Sequence, residues 1–217
     1  MVRTISMAAS TTTTVTKSPP RLVLIGGITG VGKSTIATRL ANVSGINRII
    51  STDSIREVMR TMNDDDALHR SSFSKGETGD AVLDWEDTCR AVEYGVKATI
   101  DRARREGIDL ILEGIHLIPD SRLIDRWKES GGIAIGVLIV VNDTEKHADR
   151  IRQREATSFR PAERYIAAQS RMMDIQQSMC DRAVVSRWNQ VEEDDIDSAV
   201  KRVRHLMDIA WNEYMGH

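Results

Sequence analysis

The sequence is poor in cysteine, in net charge and in long apolar runs, and each shortage excludes a class of protein. Only two cysteines occur in 217 residues, Cys89 and Cys180. They form no Cys-x-x-Cys pair and no metal-ligand spacing, so a cysteine metal centre is excluded, and two thiols in a reducing compartment are expected over a disulfide. The formal net charge is -2, which leaves no global positive field to hold nucleic acid or a membrane surface. The longest apolar run, Gly132 to Val141, is too short to span a bilayer. The N-terminus lacks the apolar centre of a signal peptide, and a cytoplasmic protein is expected.

What is present is an ordinary globular composition, 41% hydrophobic and 29% charged. Residues 1–20, with the run Thr11 to Thr14 and the closing Pro19-Pro20, read as a disordered N-terminal tail, in which Met7 is an alternative start. Residues 21–217 read as one domain without internal repeats.

Within it, short apolar runs alternate with helical patterns. Strands are expected at Leu22–Ile25, Arg48–Ser51, Leu110–Leu112, Ile133–Val141 and Ala183–Val185. Helices are expected over Lys33–Asn42, Ser54–Met62, a long stretch ending near Gly107, Thr144–Arg154, a stretch from Pro161 to about Met179, and a last one striped by Ile196, Val200, Val203, Met207 and Trp211. Residues Asn63–Asp80 read as an exposed polar insertion. This alternation implies an α/β fold, a parallel sheet with right-handed crossovers and helices on both faces.

The strongest local signal is Gly27-Ile28-Thr29-Gly30-Val31-Gly32-Lys33-Ser34, which matches the P-loop at every fixed position and sits between a strand and a helix. The glycines let successive N–H groups turn inward, and those donors with the positive helix end attract phosphate. Nucleotide contacts are therefore expected from Gly27, Thr29, Gly30, Val31, Gly32, Lys33, Ser34 and Thr35. Lys33 supplies a point charge near the β- and γ-phosphates of ATP, and Ser34 offers a hydroxyl to Mg2+.

Asp53 follows the second strand, at the carboxyl edge where ligands bind in parallel sheets, so it is expected to accept the proton of an attacking hydroxyl or hold it in line. The competing reading is a helix cap. Glu113 closes the third strand, where it would order a magnesium-bound water, and His116 follows it in the crevice. His147, Arg150 and Arg154 share one helix face, and Arg160 and Arg164 follow across Pro161. This basic segment is expected to act as a lid, with Arg150 and Arg154 catalytic. Arg56, Arg60, His69 and Arg70 are expected around the acceptor, where they suit a carboxylate or phosphate. Arg187, Trp188 and Asn189, placed after the fifth strand, are candidates for the nucleotide base.

Four blocks add a resemblance. Ile50 to Arg60 (ISTDSIREVMR), Leu68 to Phe73 (LHRSSF), Glu113 to Pro119 (EGIHLIP) and Arg160 to Tyr165 (RPAERY) resemble the archaeal-type 2-phosphoglycerate kinase family. That resemblance implies a five-stranded P-loop kinase sheet in the order 2-3-1-4-5. It also implies phosphoryl transfer from ATP to 2-phosphoglycerate, giving 2,3-bisphosphoglycerate. Arg70 departs from the family pattern, which has an acid there. A kinase for another hydroxy acid, a sugar or a sugar phosphate, and a nucleotide-dependent switch, are the other readings.

Overall fold

The computed structural model describes residues 18–155, 161–192 and 195–216, the side chain of Glu155 excepted. The expected tail lies outside the described residues as far as residue 17, and so does Arg160.

Five strands form one parallel sheet in the order β2-β3-β1-β4-β5, as the resemblance implies. Its centre is β1 (Arg21–Gly26), flanked by β3 (Leu110–Gly114) and β4 (Ile133–Val140), with β2 (Ile49–Ser51) and β5 (Asn189–Glu192) at the edges. Every residue of β3 and β4 is buried, because helices cover both faces of a parallel sheet. The register sets Gly26 beside Gly114 and Leu138, and Ser51 beside Glu113. The carboxyl ends of β1, β2 and β3 therefore open on one crevice.

On one side of the sheet, α1 (Lys33–Ser44) packs against α9 (Ile196–Met215). On the other, α4 (Ala81–Glu106) packs against α8 (Gln169–Ser186), and α5 (Arg122–Glu129) lies against β4. The stripe Val92, Val96, Ile100 and Ala103 is the buried face of α4, and Gly107 ends that helix in the left-handed region. Beyond β4 the chain forms α6 (Thr144–Glu155) and the short α7 (Ala162–Ile166). Among the described residues no helix is long and apolar enough to cross a membrane.

The structure corrects three expectations. Ala183–Val185 is the last turn of α8 and no strand: Ala183 is buried, but Val184 and Val185 are largely exposed. The fifth strand comes after it, at Asn189–Glu192, where Val191 alone is buried. Arg187 and Trp188 thus precede β5 and Asn189 opens it, instead of following it: Asn189 is level with Val137 and Ile25, and the buried Trp188 ring lies beside Gly26 and Gly136 while its Nε1 donates to Asp120 O.

The segment Asn63–Asp80 is exposed at both ends, as expected, but its middle is folded against the domain. It contains α3 (Asp66–His69), and Leu68, Ser72 and Phe73 are buried. Arg171 on α8 binds it from behind, donating to Phe73 O at 3.1 Å, Gly79 O at 2.7 Å and Ser74 O at 3.2 Å. Asp84, 1% exposed, accepts from Gly76 N, Thr78 N and Thr78 Oγ1 and pairs with Arg171 at 2.9 Å. Finally, α5 and the break between α7 and α8 were not expected from the sequence pattern.

Candidate active site

The loop from Gly27 to Gly32 joins β1 to α1, with Gly32 as the residue before the helix at φ 78°. Lys33 is 9% exposed and its Nζ donates to Ile28 O at 2.7 Å, folding the side chain back over the loop. Thr35 is exposed beside Ser34 at the start of α1. Helix α6 lies against the cradle. His147 is fully buried, and its Nε2 donates to Thr29 O at 2.8 Å. A methyl group on Gly30, at φ 95°, would stand 2.7 Å from that nitrogen, so the position takes glycine. Burial, then repulsion from Arg150, Lys33 and Arg154, holds the His147 pKa below its ordinary value against the pull of the Thr29 carbonyl. His147 therefore anchors the basic helix to the phosphate loop and does not point to a ligand with Arg150 and Arg154.

Ser34 Oγ donates to Glu113 Oε1 at 2.9 Å. Burial raises the Glu113 pKa; Lys33 and the Ser34 bond oppose this, and Asp53 adds to it. Hydroxyl and carboxylate oxygens at one point are the donor set that fits Mg2+, which keeps much of its shell from water and phosphate. Among the described residues no group of three His, Cys, Asp or Glu could cage a metal ion, as that mode of binding requires none.

Asp53 stands in the first turn of α2 (Thr52–Arg60). The cap of that helix is Ser51, whose side chain accepts from Ser54 N at 3.0 Å, so Asp53 is not the capping residue. Its carboxylate is 54% exposed, 3.9 Å from Arg56 Nη2 and 3.9 Å from His116 Nδ1. It acts on the charges of both Glu113 and His116, as Lys33 does. Lys33, Glu113, Asp53 and His116 thus share one electrostatic neighbourhood.

His116 has no ring nitrogen to offer a substrate. Nδ1 bonds Thr52 Oγ1 and Nε2 bonds Ser72 Oγ, each at 2.9 Å. Burial lowers its pKa to about 4, against the pull of Asp53 and with help from Arg56 and Lys33.

The predicted acceptor cations divide. Arg56 is mostly buried and donates to Arg70 O at 2.9 Å. Arg164 donates to Ser71 Oγ at 2.5 Å and lies over the rings of Phe73 and Tyr165. Arg154 lies 5.0 Å over the same Tyr165 ring. Arg150 is half-buried on α6. The other three turn elsewhere. Arg60 pairs with Glu57 at 3.1 Å, and the exposed His69 ring bonds Asn63 O at 3.3 Å. Arg70, 10% exposed, pairs with Asp87 at 2.5 Å and with Asp66 at 3.5 Å. Burial works against the charge on Arg70, and these acids overcome it and raise its pKa. Sequence reasoning missed Arg171, Ser72 and Thr52. No local motif marks Arg171, whose partners lie 87 to 98 residues away.

A parallel sheet of this order, with a glycine cradle, a buried lysine and a serine–carboxylate pair at its carboxyl edge, defines a P-loop nucleotide-binding protein. The family described as "AAA domain" matches residues 22–179, and the chain belongs to it. The chain is 36% identical over 194 residues to the 2-phosphoglycerate kinase of Pyrococcus horikoshii, covering 85% of this chain and 63% of that one. It is 39% identical over 156 residues to the 2-phosphoglycerate kinase of Methanocaldococcus jannaschii, covering 68% of this chain and 50% of that one. It therefore spans between half and about two thirds of the length of these relatives. Among solved structures, a gluconokinase from Sinorhizobium meliloti 1021 superposes with a TM-score of 0.55 at 18% identity, covering 91% of this chain and 97% of that one. A shikimate kinase from Acinetobacter baumannii in complex with shikimate gives 0.51 at 15%, covering 88% and 94%. At these identities the two structures speak for the fold alone.

Proposed function

We propose that this protein is an ATP-dependent, magnesium-requiring kinase of the cytoplasm that transfers the γ-phosphoryl group to a hydroxyl of 2-phosphoglycerate, giving 2,3-bisphosphoglycerate. The observation that carries the reading is the shared crevice of Lys33, Glu113 and Asp53, with Asp53 released from capping its helix by Ser51. The curated relatives named for this activity point to the acceptor.

The loop amides from Gly27 to Ser34 and the Lys33 ammonium hold the triphosphate. Ser34 and Glu113 would hold Mg2+, Glu113 by way of water, and the ion when bound would supply neutralisation of charge on the phosphates. Asp53 accepts a hydrogen bond from the acceptor hydroxyl and keeps its oxygen in line with the γ-phosphorus. Arg150 and Arg154, on the helix that His147 ties to the loop, offset charge developing on the transferring group. Among the described residues, Arg56 and Arg164 are the cations placed to meet the acceptor's anionic groups.

The test is a panel of phosphorylated and plain hydroxy acids and sugars with ATP and Mg2+, scored for ADP release. Release that rises with 2-phosphoglycerate above every other compound supports the reading, and indifference to it sinks the acceptor. One observation favours a second reading, a kinase for a less highly charged hydroxy acid or sugar: Arg60, His69 and Arg70 are engaged away from the crevice.

A further inference from the structure

Four consecutive residues between α3 and α4 each hold a different part of the crevice. Arg70 O accepts from Arg56, and Ser71 Oγ accepts from Arg164. Ser72 Oγ bonds His116, and Phe73 packs on Tyr165 with ring centroids 5.0 Å apart. The other nitrogen of His116 bonds Thr52, the residue before Asp53. Thr52, Ser72 and His116 are all buried, at 0%, 5% and 4% exposure, on three different segments of chain.

The space around this bridge is closed. A methyl group on Gly114 would fall 1.7 Å from Thr52 Oγ1, so the third strand must end in glycine to let Thr52 reach the ring. The ring is neutral at physiological pH, because burial and the nearby Arg56 and Lys33 outweigh Asp53. A neutral imidazole has one N–H and one lone pair, so one hydroxyl accepts a hydrogen bond from the ring and the other donates one to it. Neither hydroxyl can change partner without leaving a buried polar atom unpaired.

We propose that Ser72 and His116 are positioning residues that, through Thr52, hold Asp53 and the Arg70–Phe73 segment in one frame, so that use of the acceptor depends on them and nucleotide binding does not. The inference rests on reading the protein as a kinase with a separate acceptor. Arg171 fixes the same segment from the opposite side, at Phe73 O and Ser74 O, so loss of the Ser72 hydroxyl leaves the segment in place but frees its link to Asp53.

Two measurements test this. In the protein without ligands, labelled at aspartate carboxyl carbons, Ser72→Ala is expected to move the Asp53 resonance, although the Ser72 hydroxyl bonds His116 and not Asp53. An unmoved resonance overturns the frame. In turnover, Ser72→Ala and His116→Gln are each expected to lower kcat/KM for the acceptor about tenfold or more, with nucleotide Kd changed less than about twofold. The double variant is expected to be no worse than the worse single one, and Ser72→Thr, which keeps the hydroxyl, to recover most of the loss. Losses that add, or an equal loss of nucleotide affinity, overturn the proposal. If the wild-type protein turns over no acceptor, the functional reading fails, and the Asp53 resonance alone decides the positioning pair.

Discussion

Ser34 and Glu113, 79 residues apart in the chain, meet through a 2.9 Å hydrogen bond at the mouth of the phosphate loop. The bond joins the first turn of α1 to the end of β3, and it leaves a hydroxyl and a carboxylate facing the same point. Burial makes Glu113 reluctant to ionise, and the ammonium of Lys33 offsets part of that cost.

Glu113→Gln keeps the size of the side chain and removes its charge. It is expected to raise the magnesium concentration for half-maximal turnover about 10- to 100-fold, the usual cost of losing an outer partner of a metal. A magnesium titration at saturating ATP checks it. An unchanged midpoint means that Glu113 does not help to hold the ion.

The tie between the phosphate loop and α6 predicts a non-additive pair. Gly30→Ala forces a β-carbon against His147 Nε2 in a backbone region that costs side chains about 1–3 kcal/mol. His147→Ala removes the donor to the Thr29 carbonyl, which costs about 1–3 kcal/mol where the acceptor stays buried. Each change alone is expected to weaken binding of a fluorescent ATP analogue. The double variant is expected to bind better than the sum of the two losses, because the second removes the clash created by the first. Simple addition means the two residues do not act on each other.

Arg171 and Asp84 carry the acid stability of the segment in front of α4. Burial raises the Asp84 pKa, but bonds from Gly76, Thr78 and Arg171 outweigh it and bring it down to about 2, from an ordinary 3.8. The folded pKa is depressed, so its stabilisation is fully present above about pH 4 and is lost as pH falls through about 2. Arg171→Ala strands a buried carboxylate and is expected to cost about 3–5 kcal/mol at neutral pH. Denaturant unfolding of the wild type and of Asp84→Asn between pH 2 and 6 checks the sign. The stability gap between them is expected to be constant above about pH 4 and to shrink below it, and a gap that widens in acid is the opposite result.

Where the chemistry is local, the sequence was readable. The phosphate loop is a run of eight residues at fixed spacing, and β1 and β4 are continuous apolar runs because both of their faces are covered. The fifth strand was misplaced for the converse reason. An edge strand with one buried residue, Val191, has little apolar pattern, whereas the neighbouring Ala183–Val185 is apolar but ends a helix with two valines in solvent. Cations were visible, but not their partners. Nothing near Arg70 in sequence tells that Asp87 will engage it, and nothing near His147 tells that its acceptor is Thr29, 118 residues back. His116 was legible as a crevice residue, yet its role depends on Thr52 and Ser72, which only the fold brings to the two sides of one ring.

The most direct measurement of the central claim is acceptor-dependent turnover by Asp53→Asn, set beside its affinity for ATP. The substitution keeps the shape and removes the charge proposed to orient the hydroxyl. Turnover is expected to fall roughly 10²- to 10⁴-fold, the range for loss of a positioned base, with ATP affinity nearly unchanged. Turnover close to that of the wild type, or a loss of ATP affinity as large as the loss of rate, contradicts the account.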